Sequence, residues 1–213
     1  SRVLGTRDIV SAIEAAGKKP GVLLSASAVG YYGDTGEKEL DEHSPAGDDF
    51  LADTCNAWER EAQKAEALGT RVVITRMGIV LAEEGGALEK LLTPFKMFAG
   101  GPVGNGKQWF PWVHIDDAVG IMLHAIDHPE VVGALNAVSP GLVRNKEFAV
   151  ALGDALHRPA RFSVPAFVIK LALGEFGETL LGGQRVHPAR TLESGYAFRY
   201  ASIETALADL VTV

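Results

Sequence analysis

The chain is predicted to be an α/β protein with a parallel sheet, and three stretches carry that expectation. A short apolar run, Val22-Leu23-Leu24, follows Pro20-Gly21. A helical apolar stripe begins at Phe50 and is closed by Gly69. A second apolar run, Arg71 to Arg76 (RVVITR), comes directly after it. Strand, helix and strand in that order are the unit of a parallel sheet, because only a long crossover returns the chain to start a parallel neighbour.

The remaining elements follow in order. Leu4, Ile9, Val10, Ile13 and Ala16 are spaced as one face of a helix that Gly17 stops. After the first strand come the small residues Ser25 to Ala28 and then a turn, Val29-Gly30-Tyr31-Tyr32-Gly33. The second helix presents Phe50, Leu51, Cys55, Trp58, Ala62 and Ala65. Residues 77 to 113 read as mostly irregular, with a helical piece from Leu88 to Phe98 and then a glycine-rich loop. Asp116 or Asp117 is expected to cap a third helix that runs to His128, whose ring suits the negative end of the helix dipole. Leu135 to Val138 reads as a third strand. Past Ser139-Pro140 the pattern is largely helical, at 145–156, 165–174 and 203–210. The boundary therefore falls near 139, with a sheet domain at 1–138 and a smaller helix-rich domain at 139–213.

The 213 residues are 47% hydrophobic, 22% charged and 8% aromatic, enough for a sizeable core without metals or disulfides. The net charge of −7, from 20 basic and 27 acidic residues, argues against nucleic acid or an anionic membrane as partner. No apolar run reaches the ~18 residues of a membrane span. Cys55 is the single cysteine, and the chain reads as cytoplasmic.

Several candidate sites weaken on inspection. Gly101 to Lys107 fits the spacing of a phosphate loop, but position 108 is Gln and the loop leads into Trp109-Phe110-Pro111-Trp112, not into a helix. His124 and His128 share a helix face as two zinc ligands would, yet no Glu of the zincin arrangement and no nearby Cys accompanies them. No metal site is expected. Cys55 lies on an apolar stripe and reads as a buried thiol. Ser25 and Ser27 follow the carboxyl end of a strand, where open α/β sheets place their chemistry. They read either as site hydroxyls or as small residues that permit close helix packing.

The order SASAVGYYGD, a helix with Trp58-Glu59, VVITRMGIVL and GNGKQWFPWVHIDDAVG is similar to extended short-chain dehydrogenase/reductases. With SVPAFVIKLALGE at 163–175 and GGQRVHPARTLESGYAFRY at 182–200, the chain resembles the epimerase-like subfamily that carries its own C-terminal helical domain. The resemblance covers essentially all 213 residues. It implies a partial doubly wound, Rossmann-like parallel sheet, its second half, with a small helix-rich domain. The opening Ser1-Arg2-Val3-Leu4-Gly5-Thr6 resembles the start of the family's fourth helix. The family's first βαβ half and its Gly-x-Gly-x-x-Gly fingerprint are not in this sequence, and a further segment is expected to complete the sheet.

The resemblance also implies site residues. Arg2 would meet a cofactor phosphate, and Arg76 to Val80, with Gly78 between them, would lie under the nicotinamide. Ser27 falls at or within one residue of the family's catalytic serine. The usual relay pairs a Tyr with a Lys four residues on, because a neighbouring ammonium lowers the phenol toward a useful base. No Tyr-x-x-x-Lys occurs here, and the two positions fall on Leu51 and Cys55. Tyr32 or His114 is the expected substitute. Phe110 stands where nucleotide-sugar enzymes often carry a basic residue, so a diphosphate-sugar substrate is not supported there. Trp109, Phe110 and Trp112 read as a pocket wall or as core under a loop. The implied function is an NAD(P)-dependent oxidoreductase or epimerase-like protein acting on a small substrate, with NADP favoured over NAD and a homodimer as a conceivable partner. The alternative is a non-catalytic NADP-binding sensor or regulator.

Overall fold

A computed structural model describes residues 1–160, 163 and 182–211. Its centre is a parallel three-stranded sheet of β1 (Val22–Ala28), β3 (Arg71–Met77) and β7 (Gly133–Ala137), in the order β1-β3-β7. Helices α1 (Arg2–Ala15) and α2 (Phe50–Gln63) cover one face, where Val10, Ile13, Ala62 and Ala65 pack on Val72 and Ile74. Helix α4 (Ile115–Asp127) covers the other, with Ile121 and Ala125 against Val73, Leu135 and Ala137. A sheet with helices on both faces is the doubly wound arrangement. Among the described residues, β1 has a strand neighbour on one side only.

Local chemistry explains the ends of these helices. Asp49 caps α2 by accepting from the Ala52 N–H at 2.8 Å. A 3-10 turn, Lys64–Leu68, continues α2 and ends at Gly69, whose φ of 82° is left-handed backbone open to glycine. Helix α1 ends one residue before Ala16, and Lys19 Nζ donates to the carbonyls of Ile13, Glu14 and Ala16.

Several expectations are corrected. Only Val10 and Ile13 of the α1 stripe reach the core, while Leu4 and Ile9 are exposed. Phe50 and Leu51 of the α2 stripe are exposed too, and Ala52, Cys55, Glu59 and Ala62 form the inner face instead. Strand β1 runs on through both serines. The stretch 77–113 holds three short strands, β4 (Ile79–Leu81), β5 (Trp109–Phe110) and β6 (Trp112–His114), and α3 spans Gly86–Lys96. The cap of α4 is His114, not an aspartate: its Nδ1 accepts from the Asp116 N–H at 3.0 Å.

A second core joins α3, β4 and β6 to α5 (Asn145–Ala155) and α7 (Ile203–Leu210). Leu81, Leu88, Phe95 and Trp112 pack there with Leu152, Ile203 and Leu207, so packing is continuous across residue 139. Two small ribbons complete the fold. The parallel pair β2 (Glu39–Leu40) with β9 (Arg185–Val186) brings the 33–44 loop against the C-terminal segment, which continues into α6 (Ala189–Glu193). The antiparallel pair β5 with β8 (Val143–Arg144) joins the strand after the glycine-rich loop to the start of α5. The helix expected at 165–174 lies outside the described residues.

Candidate functional site

The site grows from strand register. Ser27 on β1 pairs with Arg76 on β3, and Arg76 pairs with Asn136 on β7, so three polar residues form one row near the carboxyl ends of three neighbouring strands. Residues in register across parallel strands point to the same face. Helix α2 supplies the counter-charge from above that face. Glu59 Oε1 accepts from Ser27 Oγ at 2.7 Å and from Arg76 Nε at 2.9 Å, and its Oε2 accepts from Arg76 Nη2 at 2.8 Å. This is the bidentate fork that guanidinium geometry favours.

The 3-10 turn Val29–Tyr32 then folds Tyr32 back over the row. Its hydroxyl accepts from Arg76 Nη1 at 3.0 Å and donates to Asn136 Oδ1 at 2.7 Å. The Arg76 guanidinium also lies 3.5 Å from the centre of the Tyr31 ring. Glu42 extends the network: its carboxylate accepts from the backbone N–H groups of Asn136 at 2.9 Å and Arg190 at 3.1 Å. The strand-end centre is thereby tied to α6.

Every polar group in this row is committed. Ser27 is 4% and Tyr32 1% exposed. Burial pushes the Tyr32 hydroxyl up to about 12, and the nearby Arg76 charge only partly opposes it. Burial likewise pushes the Cys55 thiol up. Leu51 and Cys55, at the family's relay positions, lie against Gly30, to which an added Cβ would stand 3.5 Å from Leu51 Cβ and 4.0 Å from Cys55 Sγ.

The structure therefore brings Ser27, Tyr32 and Arg76 together and leaves the other expected residues apart. His114 is buried, caps α4, stacks on Tyr200 at 3.7 Å between ring centres and lies 3.2 Å from Asp209 Oδ2. None of these partners belongs to the Ser27 network. Gly78 is held by packing: an added Cβ would stand 2.5 Å from the Pro111 carbonyl oxygen and 2.8 Å from Val138. Its N–H donates to Ala137 O, and Val80 pairs with Val113. Arg2 is exposed at the first turn of α1, 5.3 Å over the Trp58 ring. Arg76 uses its side chain in the network, a role the resemblance did not imply.

Glu59, Asn136 and Glu42 were missed in the sequence. Two signals pointed to them: an arginine ending an otherwise apolar strand needs a buried partner, and Glu59 sits one helical turn beyond Cys55 on the inner face of α2. The aromatic run divides. Phe110 stacks on Phe148 at 4.1 Å and Trp112 is buried, so both are core, whereas Trp109 lies at the surface between Arg144 and Arg185. His124 Nε2 lies 3.0 Å from Ser194 O, and His128 Nδ1 lies 2.9 Å from His124 O. Among the described residues no group of three His, Cys, Asp or Glu side chains could hold a metal, and no helix is long and apolar enough to cross a membrane.

Where a cofactor phosphate could sit, the chemistry fits. Arg2, exposed over the Trp58 ring, offers the guanidinium fork that a phosphate takes.

Comparison with known proteins agrees with this architecture. The model of the NAD dependent epimerase/dehydratase family matches residues 1–138, and a domain of unknown function, DUF1731, matches residues 164–210. The chain is 43% identical over 209 residues to the chloroplastic epimerase family protein SDR39U1 homolog of Arabidopsis thaliana, covering 97% of this chain and 60% of that protein. It is 39% identical to the epimerase family protein YfhF of Bacillus subtilis, covering 99% of this chain and 70% of that one. The chain thus spans less than two thirds of the Arabidopsis relative. The crystal structure of human epimerase family protein SDR39U1 (isoform 2) with NADPH superposes with a TM-score of 0.93 at 38% identity, over 99% of this chain and 72% of that one. A UDP-N-acetylglucosamine 4-epimerase from Bacillus cereus, at 13% identity and a TM-score of 0.77, shares the fold. On this evidence the chain belongs to the NAD dependent epimerase/dehydratase family.

Proposed function

We propose that this chain is part of an NADP(H)-binding protein whose strand-end centre is a fixed floor beneath the cofactor and not a proton relay, the sensor or regulator of the two functions the sequence allows. One observation carries the reading: Ser27, Tyr32 and Arg76 are buried with their polar atoms bonded to one another, to Glu59 and to Asn136. A general base must reach the proton it takes and must titrate near the working pH. A Tyr32 hydroxyl near 12, donating to Asn136, does neither. The similarity to a protein crystallised with NADPH supports the cofactor, as does the exposed guanidinium of Arg2.

When bound, the reduced cofactor, NADPH, would supply a hydride and the oxidised form would accept one. The residues of this chain would hold its phosphate at Arg2 and keep the strand ends rigid below the ring. The second reading, an oxidoreductase or epimerase acting on a small substrate, is favoured by one observation, the ring of partly exposed charges around Trp109 beside the strand ends. The test is NADPH titration of the full-length protein by cofactor fluorescence, followed by hydride exchange against a panel of carbonyl compounds. Tight binding without exchange is the expected result. Exchange abolished by Ser27→Ala with cofactor affinity unchanged would overturn the proposal in favour of the enzyme.

A further inference from the structure

The charged cluster around Trp109 is built from three pieces of chain far apart in sequence. Arg144 stands directly opposite Trp109 in the β5–β8 ladder, and Arg185 stands beside Glu39 in the β2–β9 ladder. Both guanidiniums lie over the indole ring, at 4.3 Å for Arg144 and 5.0 Å for Arg185. Glu37 and Glu39 come from the loop that follows Tyr32. Glu37 takes the Arg144 fork at 2.9 and 2.8 Å and accepts from Trp109 Nε1 at 3.2 Å, while Glu39 meets Arg185 at 2.8 Å. The chain thus presents two carboxylates, two residues apart, to two arginines gathered round one indole.

Three features mark this as a recognition site that the chain fills with its own residues. The four charged side chains are 31 to 69% exposed, so their ion pairs compete with water and are readily exchanged. Gly33 and Gly36, at φ of 65° and 60°, turn the chain so that the strap carrying both glutamates lies across Trp109. Arg185 Nε is buried and has no hydrogen-bond partner, which leaves one donor at the site unused. The strap is also one side-chain layer from the strand-end centre, since Leu40 and Val186 pack with Tyr32.

We propose that Trp109, Arg144 and Arg185 form a binding site for a small dicarboxylate, occupied by Glu37 and Glu39 until the ligand displaces them. The class follows from the occupant. Each guanidinium is matched to a carboxylate on a separate residue, an arrangement that two linked carboxylates reproduce. Phosphate, which the same fork can also hold, is the competing ligand that the test includes. This goes beyond the cofactor reading and does not depend on it, because the site uses none of the residues assigned to NADP(H).

The test is calorimetric titration of the full-length protein with sodium succinate, in the absence of NADPH, with inorganic phosphate as a second titrant. Glu37→Gln combined with Glu39→Gln removes the internal competitor, and succinate binding should tighten on the order of tenfold over wild type. Arg144→Gln should weaken it by at least about as much. The proposal is overturned if the double glutamine variant, unfolding at the wild-type midpoint, takes up no succinate, or if phosphate binds as well as succinate. Should that double variant not fold, wild type against Arg144→Gln decides: weaker binding in Arg144→Gln sustains the site, and equal binding sinks it.

Discussion

The molecule contains the same chemical device twice, in opposite surroundings. Arg76 with Glu59 and Arg144 with Glu37 are both bidentate arginine–glutamate pairs at 2.8 to 2.9 Å, and each guanidinium also lies over an aromatic ring. The side chains of the first pair are 6% and 5% exposed, and those of the second 31% and 69%. Geometry alone therefore does not say what an ion pair does. Buried, with Ser27 and Tyr32 filling its remaining hydrogen bonds, the pair cannot be opened without stranding a charge in a dry site. At the rim, water stands ready to replace either partner, so the pair is a contact that a ligand can exchange.

The sharpest way to break this comparison is to remove a carboxylate from each pair. Glu59→Ala leaves the Arg76 guanidinium buried without its counter-charge, and denaturant unfolding should show a loss of about 3–5 kcal/mol. A loss no greater than that of the rim substitution would mean that the buried pair is not what holds the strand ends. Tyr32→Phe comes next. It takes the donor from Asn136 Oδ1 and an acceptor from Arg76, for roughly 1–3 kcal/mol.

Tyr32→Phe has a pH signature as well. The folded hydroxyl is raised to about 12 from an ordinary 10, so its contribution is fully present below pH 10 and is lost as pH rises toward 12. Across that window the unfolding midpoint of wild type should fall more steeply than that of Tyr32→Phe. Equal slopes would show that Tyr32 titrates alike in both states.

Ser27→Ala removes one of three hydrogen bonds to Glu59 and should cost about 1 kcal/mol, with NADPH affinity unchanged. A large fall in cofactor affinity would place Ser27 in the cofactor site instead of beneath it. The smallest effect belongs to Glu37→Gln, which should leave the unfolding midpoint where it is. Arg144 holds the Glu37 carboxyl below its usual range, but at an exposed site that preference carries little stability. A clear drop in midpoint would make the rim a structural clasp.

What could be read from the chain and what could not divide along contact distance. The run RVVITR reads as a buried strand because five successive buried positions, Val72 to Arg76, need strand geometry with both faces covered. Gly69 announces the end of the helical stretch formed by α2 and its 3-10 extension, and the family resemblance follows from motifs spread over the whole length. The aromatic run could not be sorted, because Phe110 and Trp109 are neighbours in sequence yet face different surroundings once β5 pairs with β8. The cap of α4 was missed because His114 is an unusual capping residue and the two aspartates beside it are ordinary ones.

The sequence by itself determined the α/β class, the sheet that organises it, the family and the absence of a Tyr–Lys relay, since these rest on local pattern and on residue identity. Only the tertiary structure decided what the site residues do. Ser27 and Glu59 are 32 positions apart, Tyr32 and Asn136 are 104 apart, and Glu37 and Arg144 are 107 apart. Strand register sets Ser27 and Asn136 in one row, where α2 brings Glu59 and the 3-10 turn brings Tyr32, and two small ribbons join the third pair. Burial, which no local pattern states, then makes one arginine–glutamate pair a floor and leaves the other open to exchange.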